Sequence, residues 1–158
     1  MTQFPTVDLT AFRTACKTEG RLLGVDLGTK TIGLAISDAL RTIASPLETL
    51  RRSRFASDRD ALQLRIEQHA IAGIVVGLPL NMDASVGPRA QSTRAFAINL
   101  ARTFMVPIAL WDERLSTAAV ERSMREGDLS RAKRTAMVDK LAATYILQGA
   151  IDRMRQLP

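Results

Sequence analysis

The sequence predicts an α/β fold: a mixed five-stranded sheet, antiparallel over its first three strands and parallel after them, with helices on both faces. Three observations carry this. Leu22–Asp26 and Ile32–Ser37 are two strand-like runs joined by a short glycine-containing connection, which reads as a hairpin. The run "IAGIVVGLP" is apolar and β-branched, the pattern of a strand covered on both faces. Apolar runs then alternate with helical periodicity, as parallel strands joined by helical crossovers require.

Residues 1–20 form a lead-in in which Leu9 to Ala15 is a short docked helix, and residues 21–155 form a single domain. After the hairpin, Ser45–Leu50 adds a third strand, with Pro46 suited to its start or to an edge. A helix follows over about Ser57 to Ala70: Ser57 and Asp60 resemble a capping box, and Leu62, Ile66 and Ala70 share a face. The buried strand ends at Gly77–Pro79 and opens a polar loop, Asn81 to Gly87. A second helix starts near Pro88 and stacks Phe96, Leu100 and Phe104. "VPIALWD" is the next strand. Ser116 or Thr117 caps a short helix that Gly127 ends, and a long helix runs from about Arg131 to Arg153.

With 46% hydrophobic and 24% charged residues among 158, the composition is that of an ordinary globular protein. Lys and Arg number 22 against 16 Asp and Glu, a formal charge of +6 that favours a polyanionic partner such as nucleic acid. One cysteine, Cys16, excludes a disulfide within the chain and fits a reducing compartment. No apolar run approaches the ~20 residues of a membrane span, and the first residues lack the pattern of a signal peptide. The expected location is the cytoplasm, with no membrane partner.

Parallel strands bring their carboxyl ends to one edge, where ligands usually bind. Asp26 and the pair Asp112–Glu113 stand at such ends. A carboxylate there without compensation costs several kcal/mol or takes up a proton. Asp26 meets that cost through a divalent cation or through the turn amides of Gly28 to Lys30. Neighbouring strand residues point to opposite faces, so only one of Asp112 and Glu113 can share a site with Asp26; the other can pair with Arg114. Asp139 lies in the last helix among Ala136, Ala142 and Ala143, small residues that let a helix press against a sheet. It is either a solvated residue or a third acid at the same edge. Carboxylates so grouped hold one or two Mg²⁺ or Mn²⁺ ions in phosphodiester cleavage.

"GVDLGTKTIGLAISD", "IVVGLPLNMDASVGPRAQ", "DERLST" and "MVDKLAATYILQ" together resemble the YqgF (RuvX) family of Holliday-junction-resolvase-like proteins, described as nucleases of the pre-16S rRNA 5′ end. The resemblance spans about residues 21 to 152. It implies an RNase H-like fold and metal-dependent hydrolysis, with Asp26, Glu113 and Asp139 as the catalytic, metal-holding acids and Mg²⁺ or Mn²⁺ as cofactor. It further implies substrate contacts from Gly28, Thr29, Lys30, Asn81, Arg89 and Arg114. The partner implied is nucleic acid, either a ribosomal precursor or a DNA junction, with homodimerisation left open. Ala84 stands where the family commonly has glycine, and Thr31 where it commonly has a basic residue.

"DLGT" is also similar to the phosphate-binding hairpin of actin-like and sugar-kinase ATPases, which need two such domains and a second glycine-rich motif; this sequence shows neither. Two basic clusters, Arg51, Arg52, Arg54 and Arg59, and Arg131, Lys133 and Arg134, are either phosphate tracks or solvated faces. One Trp, one Tyr and five Phe argue against a base-stacking platform. Trp111 is expected in the core, and His69 in a structural role.

Overall fold

A computed structural model describes residues 4–114 and 131–158, with side chains of the last helix described from Leu141 onward. The elements are α1 (Leu9–Ala15), β1 (Arg21–Leu27), β2 (Thr31–Ser37), β3 (Ala44–Arg51), α2 (Phe55–Gln68), β4 (Ile71–Leu78), α3 (Pro88–Thr103), β5 (Ile108–Asp112) and α4 (Arg131–Gln156). The helix expected over Ser116–Gly127 lies outside the described residues.

The strands form one sheet in the order β3-β2-β1-β4-β5. β1 pairs antiparallel with β2, and β2 with β3, whereas β4 runs parallel to both β1 and β5. Pro46 sits on the outermost strand beside a register irregularity, where a missing N–H breaks no ladder bond.

Two apolar layers enclose the sheet. Leu23, Val25, Leu27, Ile32, Leu34 and Val76 pack with Leu62 of α2 and Phe96 and Leu100 of α3. Leu22, Ala35, Val75 and Ala109 pack with Phe12 of α1 and Ile146, Leu147 and Ile151 of α4. β4 is buried along its whole length, as its unbroken apolar text requires. At the sheet centre α4 comes very close: a Cβ on Gly24 would lie 2.8 Å from Leu147 Cβ and 2.9 Å from the Ala143 carbonyl oxygen. Gly24 and buried Ala143 are the small residues that permit this approach.

Four local readings need correction. α2 starts at Phe55, ahead of Ser57, because the Phe55 ring packs edge-on against Phe96, centroids 5.6 Å apart. No Ser57–Asp60 capping box opens it; buried Asp58 instead accepts hydrogen bonds from Ser53 N–H at 3.0 Å and Ser53 Oγ at 3.2 Å. At the other end the helix stops at Gln68, and Ala70, with φ 51°, belongs to the turn into β4. β5 starts at Ile108, two residues after Val106.

The lead-in does more than dock α1. Thr6 bridges to Ala109, its N–H donating to the Ile108 carbonyl at 3.0 Å and its carbonyl accepting from Leu110 N–H at 2.8 Å. That bridge covers part of β5, the strand at the sheet's end, an edge that would otherwise offer unpaired backbone groups.

Candidate metal centre at the strand ends

Asp26 is the second-last residue of β1. Val25 and Leu27 point into the layer of α2 and α3, so Asp26 points with Gly24 toward α4. Across the antiparallel pair it stands opposite Gly33. On its other side runs β4, where Val25 is in register with Val76, putting Gly77 next to Asp26. The acid therefore sits on a floor of glycines, with no β-carbon from either neighbouring strand beside it.

Glu113 follows β5 directly, its N–H donating to the Leu78 carbonyl at 3.3 Å. Its side chain turns to the α4 face and lies over Gly77: a Cβ on that glycine would be 2.7 Å from Glu113 Oε2 and 2.4 Å from Ile146 Cδ1. Asp26 and Glu113 thus flank one glycine on one face of the sheet. Their strands are separated only by β4, about 10 Å at two strand spacings, and the Glu113 side chain, reaching over Gly77, narrows that gap.

Asp112 takes the opposite face. Arg114 donates from Nε to both Asp112 oxygens, at 2.9 and 3.0 Å, and from Nη1 to the Met82 carbonyl at 3.2 Å. Asp112 and Glu113 thus part to opposite faces, as strand alternation requires, and Glu113 is the one on the face of Asp26. Arg114 is engaged with Asp112 and with the loop it pins in place. Asn81 is also a loop organiser: its N–H donates to the Ser85 carbonyl at 3.0 Å and its Nδ2 to Ser85 Oγ at 2.9 Å. This turn holds Ala84 at φ 70°, in the left-handed region that favours glycine.

Burial pushes the Glu113 carboxyl above its ordinary pKa; the nearby positive charge of Arg89 opposes this and Asp112 adds to it. Arg89 is exposed in the first turn of α3. Arg114 holds Asp112 below the usual carboxylate range.

At the β1–β2 turn Gly28 N–H donates to the Thr31 carbonyl at 2.9 Å, and Thr29 and Lys30 are exposed. Sequence reasoning missed the side chain that fixes this turn: Arg52 Nη1 donates to the Gly28 carbonyl at 2.7 Å, while Arg52 N–H donates to the Lys30 carbonyl at 2.9 Å. It also missed Gly77, although a glycine inside an apolar strand signals close approach of another group. Thr49 belongs to the same floor, opposite Gly33, and its buried Oγ1 has no hydrogen-bond partner among the described residues. Trp111 packs on α4, where a Cβ at Gly149 would meet the indole at 2.9 Å.

Among the described residues no three His, Cys, Asp or Glu side chains cluster. The side chain of Asp139 lies outside them; its backbone is part of α4, one helical turn before Ala143. The donor set fits a hard cation all the same: two carboxylates on one face of the sheet, one of them desolvated. No helix among the described residues is long and apolar enough to cross a membrane.

The RuvX family model, described as Holliday junction resolvase, matches residues 20–153. A protein of Paracoccus denitrificans (strain Pd 1222) named "Putative pre-16S rRNA nuclease" is 56% identical over 146 residues, 92% of each chain. One of the same name from Rhodobacter capsulatus is 57% identical over 146 residues, again 92% of each chain. Among solved structures, T. thermophilus RuvC in complex with a Holliday junction substrate superposes with a TM-score of 0.54 at 17% identity, covering 85% of this chain and 96% of that one. That likeness is one of fold, and the fold is RNase H-like. With a match running from the start of β1 to near the end of α4, the chain belongs to the RuvX (Holliday junction resolvase) family.

Proposed function

We propose that the protein is a divalent-metal-dependent nuclease that hydrolyses phosphodiester bonds of structured nucleic acid, processing the 5′ end of pre-16S rRNA in the cytoplasm. What supports this reading is that Asp26 and Glu113 stand on either side of Gly77 on the sheet face that α4 covers. The names of the curated relatives, at 56 and 57% identity over almost the whole chain, support RNA as substrate.

Asp26, Glu113 and Asp139 would hold one or two Mg²⁺ or Mn²⁺ ions. When bound, such ions activate water and stabilise the leaving oxygen of the displacement. The chain's own residues do the rest. Gly33 puts no side chain beside Asp26, and Gly77 leaves room for the Glu113 carboxylate and Ile146 to pack against β4. The burial of Glu113 makes protons and cations compete for it, and Arg89 favours its ionised form. Thr29 and Lys30, exposed on a turn that Arg52 fastens, are placed to meet phosphate oxygens. Arg114 and Asn81 act one step back, holding the 79–87 loop beside the edge.

Hydrolysis of a precursor-like RNA with Mg²⁺ or Mn²⁺ tests this reading. Asp26→Asn should lower the rate by at least about a hundredfold, as when a contact to developing charge is removed. Equal cleavage by both proteins would take Asp26 out of the mechanism. RNA binding without any metal-dependent product would instead mark a non-catalytic RNA-binding domain. A four-way DNA junction added as competitor should leave RNA cleavage ahead; preference for the junction would reassign the substrate to DNA.

A further inference from the structure

The structure sorts the arginines around the end of β3 into committed and uncommitted ones. Arg52 is fastened to the Gly28 carbonyl, and Arg59 pairs with Asp60 at 3.3 Å. Arg51 is exposed and makes no ion pair among the described residues. Its direction follows from its neighbours. Glu48 pairs with Arg65 of α2 at 2.6 Å, and Leu50 packs into the layer of α2 and α3. Thr49 and Arg51 therefore point to the other face, that of Asp26 and Glu113.

Asp26, Gly33 and Thr49 form one row across β1, β2 and β3, and Arg51 lies two residues beyond Thr49, opposite Thr31. Two strand spacings and two residues of rise put the Cα atoms of Asp26 and Arg51 about 12 Å apart. That span equals about three nucleotides at the ~3.4 Å rise of a stacked strand. Lys30, exposed, stands at the same edge on a turn tied to β3 by the Arg52 N–H.

We propose that Arg51 is a phosphate anchor for the nucleic-acid strand, holding its backbone a few nucleotides from the Asp26–Glu113 pair, with Lys30 beside it. This rests on the nuclease reading above and names the surface along which the polyanion leaves the site. Arg51 acts on binding and register; it does not touch the reacting atoms.

The test is anisotropy of a 5′-fluorescent single-stranded RNA with the full-length protein, in EDTA to prevent turnover, titrated from 50 to 200 mM KCl. Arg51→Ala should weaken binding about five- to twentyfold at the low-salt end and reduce the log–log salt slope by about 0.7 to 1, one phosphate contact. Arg51→Lys should keep the slope, and Arg59→Ala should bind as the wild type. Thermal melts confirm that each variant folds. Unchanged affinity and slope in Arg51→Ala, with wild-type binding intact, would overturn the anchor alone. Absence of binding by the wild type would overturn the nucleic-acid reading and the anchor with it.

Discussion

Gly77→Ala places one methyl group where the site is tightest. The new Cβ would stand 2.4 Å from Ile146 Cδ1, 3.0 Å from Ile146 Cγ1 and 2.7 Å from Glu113 Oε2. Separations below 3.0 Å force a neighbour to move. Ile146 is 1% exposed and has nowhere to swing, so the strain falls on the core; such overpacking costs about 1–3 kcal/mol. Alanine also stiffens the unfolded chain, which returns about 0.4–1 kcal/mol. The net loss should be about 1–2 kcal/mol, read as a fall in melting temperature of roughly 2–8 °C. Glu113, half-buried, can swing away, and a displacement near 1 Å in such a group can cost on the order of a hundredfold in rate. Ile146→Val separates the two effects, because it removes the Cδ1 atom and leaves the collision with Glu113. Gly77→Ala/Ile146→Val should be more stable than the sum of its parts, by about 1 kcal/mol in a double-mutant cycle, and remain as inactive as Gly77→Ala. Urea unfolding and RNA cleavage measure the two. Full activity and cation affinity in Gly77→Ala would refute the claim that this glycine makes room for Glu113.

Three other outcomes are expected. The folded protein holds a proton on Glu113 more tightly than the unfolded chain does, so metal-free stability should fall as pH rises from the ordinary value of 4.5 through the raised one. Glu113→Gln should flatten that slope and be the more stable protein at neutral pH in urea titrations; identical pH profiles would contradict the desolvation. Ala84→Gly, relieving a left-handed alanine, should gain about 0.5–1 kcal/mol, and no gain would mean that the loop does not hold that conformation. Thr6→Pro removes the N–H donated to the Ile108 carbonyl and should cost about 1 kcal/mol while turnover per folded molecule stays unchanged. A large loss of turnover would connect the lead-in to the site.

The hairpin, the doubly covered β4 and the α1 helix were legible because each rests on a local pattern: a turn, an apolar run, a short apolar period. The start of α2 was not, since Phe55 earns its place by meeting Phe96, a residue far along the chain. The Thr6 bridge had no signal at all, for a single paired residue leaves no period. In the site, alternation alone required Asp112 and Glu113 to part; the family resemblance pointed to Glu113, and the pairing of β5 with β4 sets which of the two shares a face with Asp26. Asn81 and Arg114 stood out as polar residues near an edge, and the structure finds both engaged in shaping a loop. The four clustered arginines looked alike in sequence; the structure fastens Arg52 to the Gly28 carbonyl and pairs Arg59 with its neighbour Asp60.

The central claim is that Asp26 and Glu113, joined by Asp139, grip a divalent ion above Gly77. An anomalous difference map from a Mn²⁺-soaked crystal addresses it most directly. The account predicts a peak between the Asp26 and Glu113 carboxylates that disappears in Asp26→Asn. A map with manganese elsewhere, or a peak that persists without the Asp26 carboxylate, would contradict it.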